Sequence, residues 1–510
     1  MFWQDVKTVS LLVYMTDFII FIIAARHAIL QRLAPARVGG RKGAPLLAAL
    51  EMRMSRQLKT ACLAAWFLSL LLAPLLPAHA EPLPPDVTIE TYGAWPTGYP
   101  TAMVWAPDGR LFVNTKEGWV YQMAVGGGAA TVWLDLSGVV LSAVEHGLVG
   151  IVFDPLYATQ PYVYLYYSVE NEGVISNRLV RFTEANGAAT APLVLLDVPR
   201  TGSDLNCAWH HGGNLHFGPD GYLYVTIGDY GCNGGHSQNL ATPKGKMLRL
   251  DVRPPFLAEP NAARPAPNPL CDAAQAAGPI DRRVWACGLR NSWDFTFDSV
   301  TNFAFATENG PGCNDEINWI LAGHNYGWPY SATSYFDCVA LPRPYEEPIY
   351  VHPDPIGIVG ITLFNSTTIP AWRHHLIWCA NRDYAMYHAP FASARFDALA
   401  PGSAVVVDGV TCPTDLSVGP DGRLYYLEFG AVSVLSNQGC LLPWDFDQNQ
   451  VVDVFDVQQA ADLWGNTWPD SGYSMHLDNN FDGANDVLDV QETAVHWGDA
   501  CGGVAHPLEQ

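Results

Sequence analysis

Three stretches of the chain repeat one unit: APDGRLFVNT (106–115), GPDGYLYVTIGD (218–229) and GPDGRLYYLEFG (419–430). In each, proline sets φ for a tight turn, aspartate and glycine complete it, and an alternating apolar strand follows. FDPLYATQPYVYLYYS (153–168) is a looser version of the same pattern. Helical periodicity is scarce between about residues 88 and 437, where short strands recur with turn residues between them. An open stack of so many strands would leave long edges exposed, whereas radial closure protects them, so the pattern predicts an all-β propeller over 88–437.

The chain has 510 residues, 49% apolar and 12% aromatic, enough for a large core and more than one domain. Its formal charge is −23, and the basic residues gather at the front: residues 1–80 carry nine Lys/Arg and three Asp/Glu. The remainder is therefore strongly acidic and repels phosphate backbones, which excludes nucleic acid as the expected partner.

The front reads as an address. Arg53, Arg56 and Lys59 precede an apolar stretch from Ala61 to about Leu76, and Ala78-His79-Ala80 has the small-x-small pattern of a signal-peptidase site. Residues 54–80 are thus expected to be a signal peptide, with a mature start near Glu81 and an exported product that is periplasmic, extracellular or surface-attached. Residues 1–53 form an upstream extension to a signal that can itself begin at Met52 or Met54; we prefer a mis-assigned start. Ten cysteines follow the signal, none in a C-x-x-C, so disulfides are expected rather than a zinc ribbon or a redox motif. Sequence leaves their pairing open; Cys440 with Cys501 brackets the last domain, and Cys207 with Cys232 is a neighbour pair.

The segment NCAWHHGGNLHFGPDGYLYVTIGD (206–229) places two histidines and two glycines at the lip of a strand. On their own such histidines serve structure as readily as chemistry. They stand, however, in an ordered series: EHGLVGIVFDP (145–155), the His-His-Gly-Gly segment, GKMLRLDV (245–252), ACGLRNSWDFTFD (286–298) and ENGPGCNDEINWILAGHNYGWP (308–329). Together these resemble the soluble quinoprotein glucose/sorbosone dehydrogenase family, six-bladed propellers that use pyrroloquinoline quinone (PQQ) and calcium.

The resemblance implies a role for each matching residue. His210 matches the catalytic base; an imidazole, with an ordinary pKa of about 6.5, is poised to take a hydroxyl proton while a hydride leaves for the quinone. His211 stands where the family varies. Glu145 matches a substrate-contacting position. Arg290 and Asn291 would face the quinone, whose carboxylates suit an always-charged guanidinium, and Arg290 would also act in catalysis on the reduced form. Gly310 and Pro311 match positions that offer carbonyl oxygens to the cofactor's calcium. Asp315 is expected near the site, Glu316 and Asn318 as braces of its loop, and Asp229 as a simple turn acid. Arg382 lies about where relatives place another cofactor-facing cation. One departure stands out: TCPTDLSVGPDG (411–422) has Cys412 where the family usually has an arginine.

The tail, 441–502, carries a second repeat. DFDQNQVVDVFD (445–456) and DNNFDGANDVLD (478–489) are 12-residue loops 33 residues apart. Asp445, Asp447, Asn449, Asp453 and Asp456 occupy positions 1, 3, 5, 9 and 12 of the first; Asp478, Asn480, Asp482, Asp486 and Asp489 match them in the second. That oxygen spacing is expected to wrap a calcium ion, since carboxylates ~4 Å apart repel by about 4 kcal/mol at an effective dielectric of 20 and need a cation or must splay apart; a solvated acidic turn is the alternative. Two such loops, each leading into a short helix, resemble a type I dockerin, which implies a cohesin-type protein partner. Gln450 replaces the usual turn glycine of the first loop and Asn485 an apolar position of the second.

The expected architecture is a six-bladed all-β propeller with a small C-terminal α-helical calcium-loop domain, exported, oxidising aldose sugars with PQQ and calcium. A non-catalytic propeller that binds carbohydrate or protein at the cell surface is the alternative. An acyl hydrolase lacks a Gly-x-Ser-x-Gly elbow here, and no Gly-x-Gly-x-x-Gly supports a nicotinamide or flavin site.

Overall fold

The computed structural model describes residues 80–231, 235–253, 268–271, 279–298, 301–329, 345–392, 396–439, 442, 444–446, 451–467, 473–474, 477–478 and 483–500. The chain divides into Met1–Pro77 and Ala78–Gln510, and every described residue belongs to the second unit. The expected extension 1–53 and, apart from Ala80, the expected signal peptide 54–80 lie outside the described residues. Among the described residues no helix is long and apolar enough to cross a membrane.

Six sheets of four or five strands form a six-bladed β-propeller. The first strands of the blades are Pro100–Trp105, Leu148–Phe153, Leu215–Phe217, Phe295–Phe297, Ile358–Phe364 and Leu416–Val418. They line the axis: Pro100–Trp105 packs on Leu148–Phe153, which meets Leu215–Phe217, and Leu416–Val418 returns to Pro100–Trp105. The ring closes within the last blade, where Val87–Ala94 pairs antiparallel with Ala431–Asn437.

The repeated Pro-Asp-Gly units join the first and second strands of blades 1, 3 and 6. In each turn the aspartate carboxylate accepts from the backbone N–H two residues on: Asp108 from Arg110, Asp220 from Tyr222, Asp421 from Arg423. The following glycine sits at positive φ, +75° at Gly221, a conformation that costs an L side chain strain. The alternating residues that follow bury between blades, as where Phe112 of blade 1 meets Phe153 of blade 2 with ring centroids 4.8 Å apart. Each such large side chain contributes roughly 1.5–3 kcal/mol on full burial.

Two disulfides join described cysteines, Cys271–Cys287 and Cys379–Cys412. Cys207 is also disulfide-bonded, but Cys232 of the neighbour pair is outside the described residues, as are Cys440 and Cys501. Beyond the propeller, helices α1 (Val454–Asp462) and α2 (Val487–Val495) pack together. Each begins at a capping box. Asp453 accepts from Phe455 N–H while Asp456 accepts from Asp453 N–H, and Asp486 and Asp489 repeat the arrangement. A short strand pair, Asn466–Thr467 with Ala484–Asn485, ties the halves of this module.

Candidate functional site

A cavity of about 880 Å³ opens on the propeller axis. Thr101, Val149, His210, Asn291, Val359 and Thr414 line it, each at or just before the first strand of a different blade. Glu145, Arg290, Gly310, Pro311, Asp315 and Arg382 share its wall. The residues expected at a cofactor and substrate site are therefore gathered in one hollow, although they span Glu145 to Arg382 in the chain.

His210 is held in a conformation that needs support. Its φ is +59°, uncommon for a residue with a side chain. Both backbone groups are clamped: its N–H donates to Glu145 Oε2 at 2.5 Å, and its carbonyl accepts from Tyr230 N–H at 3.2 Å. Gly212 follows at φ +65°, and a Cβ there would lie 2.7 Å from the Thr226 carbonyl oxygen, so only glycine lets the loop pass this close to the strand. The Glu145 carboxylate thus serves the backbone of His210 as well as facing the cavity.

The ring of His210 is oriented by a residue that sequence reasoning assigned to a turn. Asp229 Oδ1 lies 2.6 Å from His210 Nδ1 and also accepts from Gly231 N–H at 2.8 Å. Its other oxygen accepts from the indole N–H of Trp328 at 2.7 Å. Burial of Asp229 is complete and works to raise its pKa, but these hydrogen bonds and the charges of His210 and Arg290 outweigh it and hold the carboxyl below its ordinary range. With Nδ1 engaged, proton exchange with a molecule in the cavity falls to Nε2.

His211 turns the other way. It is buried against His146 with ring centroids 3.9 Å apart, and Asn177 bonds its Nδ1 at 3.0 Å. Burial pushes its pKa well down, with the neighbouring His146 ring and the Arg200 guanidinium adding to the effect. One histidine of the pair faces the cavity; its neighbour braces the wall behind.

Arg290 and Asn291 sit on a turn built around a buried carboxyl. Glu308 Oε1 accepts from both backbone N–H groups, and Oε2 accepts from the Ser292 hydroxyl at 2.8 Å. Burial drives Glu308 up to about 8 against these bonds. Arg290 donates from Nη1 to the Asn309 carbonyl at 2.7 Å and lies over the Trp328 ring at 5.3 Å. Asn291 Oδ1 accepts from Gly212 N–H at 3.0 Å, which couples this turn to the histidine loop. Next to this turn, one residue beyond Asn309, Gly310 donates its N–H to Asp315, which also accepts from Gly357 and Ile358 N–H, and burial raises the Asp315 pKa. Asp229, Glu308 and Trp328 are the site residues that sequence reasoning missed; a hairpin fold-back of the 206–229 segment is the one local signal that pairs Asp229 with His210.

Cys412 does not stand in for the family arginine. It is fully buried in the disulfide with Cys379, while Arg382 lines the cavity and donates to the Pro355 carbonyl at 2.6 Å. The cations of the wall are Lys116, Arg290 and Arg382, set in a chain of net charge −23. Arg290 Nε is buried without a hydrogen-bond partner among the described residues, as is the Thr414 hydroxyl. Buried donors of this kind call for an acceptor, and a flat, polycarboxylated quinone supplies one within the volume range of small-molecule sites. Among the described residues no cluster of three His, Cys, Asp or Glu side chains could hold a metal, so calcium in this cavity would depend on carbonyl oxygens such as those of Gly310 and Pro311. Gly310 leaves room there for backbone alone, since a Cβ would fall 1.9 Å from the Cys313 carbonyl oxygen.

In the tail, Asp456, Asp478 and Asp489 are fully buried and Asp453 nearly so; Asp445 and Asp486 are also described, whereas Asp447, Asn449, Asn480 and Asp482 lie outside the described residues.

Fold and site together define a six-bladed propeller with an aspartate-oriented histidine in a cation-lined axial cavity. The chain belongs to the Glucose / Sorbosone dehydrogenase family, whose profile matches residues 97–432. Aldose sugar dehydrogenase YliI of Escherichia coli K12 is 25% identical over 340 residues, covering 64% of this chain and 86% of that protein. Quinoprotein glucose dehydrogenase B of Acinetobacter calcoaceticus is 26% identical over 258 residues, 45% of this chain and 50% of the relative. The PQQ-bound aldose sugar dehydrogenase of Streptomyces coelicolor shares the fold with a TM-score of 0.52 at 22% identity, over 69% of this chain and 99% of that one.

Proposed function

We propose that the propeller oxidises aldose sugars at the anomeric carbon with PQQ bound in the axial cavity, and that His210 is the general base. The observation that carries this reading is the His210–Asp229 pair at 2.6 Å, set in the same hollow as Arg290 and its unpaired Nε. Oxidation of an aldose to its lactone removes a hydride from C1 and a proton from the C1 hydroxyl, and the quinone, when bound, supplies the two-electron acceptor. His210 Nε2 takes the hydroxyl proton. Asp229 keeps the ring in the tautomer that can accept it and then stabilises the imidazolium. Glu145 fixes the strained backbone of His210 and offers a carboxylate to sugar hydroxyls. Arg290, Asn291 and Arg382 hold the cofactor's anionic groups, and the Gly310–Pro311 carbonyls would ligate its calcium.

The same reading extends to the rest of the chain. Residues 54–80 direct export. The loops at 445–456 and 478–489 each bind calcium, and this dockerin-like module tethers the enzyme to a cohesin-type protein. Support comes from the constant offset of the loops and from carboxylates buried at their ends.

The test is reconstitution of the mature protein with PQQ and calcium, followed by dye reduction with aldoses. Turnover that His210→Ala lowers by at least ~100-fold while quinone binding persists is the expected result. Sugar binding without turnover in quinone-loaded protein would overturn it and leave the non-catalytic propeller.

A further inference from the structure

Three aromatic rings run outward from the cavity wall. Tyr99 lines the cavity, and its hydroxyl accepts from Asn381 Nδ2 at 2.7 Å. The Phe429 ring meets Tyr99 edge-on at 5.7 Å, and Tyr384 meets Phe429 edge-on at 5.1 Å. Phe429 is 51% exposed and Tyr384 43%, so neither ring is spent on the core.

The backbone holds these rings in place. Tyr384 sits at φ +58° in the hairpin loop after His375–Ala380, and its carbonyl accepts from Cys412 N–H at 2.8 Å. Cys412 is itself bonded to Cys379 at the base of that loop. A bulky side chain in the left-handed region costs strain, and here the hydrogen bond to Cys412 and the disulfide behind it hold the ring in that position.

We propose that Tyr384 and Phe429 form an outer subsite for the second and later units of an oligosaccharide whose reducing-end sugar occupies the cavity. Pyranose rings present apolar C–H faces rimmed by hydroxyls, and they match the half-exposed aromatic faces of Phe429 and Tyr384, set edge to face beside the cavity residue Tyr99. Glu428 precedes Phe429 and Asp383 precedes Tyr384, and their negative charge disfavours an anionic partner, although the Asp383 oxygens are taken by Ala385 N–H and the Tyr387 hydroxyl. Two half-exposed rings also fall well short of the ~800 Å² per partner that a stable protein interface buries. The inference rests on the sugar-oxidising reading for which end of the chain enters, but not for binding itself.

Calorimetric titration of the apoprotein with malto- and cello-oligosaccharides of one to four glucose units, beside turnover of the PQQ-loaded protein, tests it. Affinity and kcat/KM should rise with chain length in the wild type. Tyr384→Ala and Phe429→Ala should each cut the gain by roughly 3- to 10-fold with the monosaccharide unaffected. Tyr384→Phe and Phe429→Trp, which keep the rings, should retain it, separating stacking from misfolding. Equal affinity for one and four units in the wild type would overturn the subsite. Slower dye or acceptor reduction in the alanine variants, at unchanged sugar affinity, would overturn it too and mark an acceptor-docking patch. Length-dependent binding with no turnover of any sugar would sink the oxidation and leave the subsite standing.

Discussion

Asp229 Oδ1, just past the strand Leu223–Ile227, and His210 Nδ1, in the loop ahead of Leu215–Phe217, lie 2.6 Å apart although 19 residues separate them in the chain. Three N–H groups converge on the two oxygens of this carboxylate, from His210, Gly231 and Trp328. An asparagine has one acceptor oxygen to offer them. Asp229→Asn should therefore favour the wrong imidazole tautomer and lower kcat by at least ~100-fold, with KM little changed. The mispaired donor should also cost about 1–3 kcal/mol of stability, and steady-state kinetics with thermal melts on the same samples would separate the two effects.

Glu308 sets a pH dependence of stability. Its pKa is about 8 in the fold, pushed up by burial, against an ordinary value of 4.5. Between those values the native state holds a proton that the unfolded chain releases, so this group's contribution to stability falls as pH rises from about 4.5 to about 8. Glu308→Gln keeps an oxygen for the Arg290 and Asn291 N–H groups and removes the titration. Melting curves from pH 5 to 9 should show the variant losing less stability than the wild type across that window; parallel curves would refute the assignment.

The Cys379–Cys412 disulfide closes a loop with a sequence separation of 33. Loop-closure entropy gives it about 3–4 kcal/mol in a chain of that length. Cys379→Ala with Cys412→Ala should lower the melting temperature accordingly. It should also weaken binding of longer oligosaccharides more than of glucose, because Tyr384 loses its anchored neighbour. Differential scanning calorimetry and the length series read the two consequences separately.

Calcium should stabilise the C-terminal module. Asp456 and Asp489 are fully buried where each helix begins, and each closes a capping box. Calorimetric titration of the chelated full chain, with the cavity emptied of PQQ, should show two sites assigned to the loops. Asp489→Asn should remove one and Asp456→Asn the other, and fluorescence of Trp464 and Trp497, both exposed beside the helices, should report the ordering.

Local chemistry made much of this legible in the sequence. The Pro-Asp-Gly turns depend on residues next to one another, and the structure builds three of them alike, down to the aspartate that accepts from the N–H two residues on. His210, Arg290 and Gly310 stood out through motifs, and all three line the cavity. What stayed hidden depends on distance in the chain. Trp328 reaches Asp229 across 99 residues, and Glu308 reaches back 18 to the Arg290 N–H, contacts that no local pattern encodes. The partner of Cys412 was hidden for the same reason, so its loss as a cofactor cation was visible while its use as a brace was not.

Closure of the ring by Val87–Ala94 on Ala431–Asn437 pairs Thr88 with Ser436, residues separated by 348 positions. At a synthesis rate of ~5–20 residues per second, the early strand waits roughly 20–70 seconds on the ribosome for its mate. During that interval its unpaired edge is a template for any neighbouring nascent strand. The long separation of the two strands that close the ring therefore makes premature pairing between neighbouring chains the hazard this topology carries during synthesis.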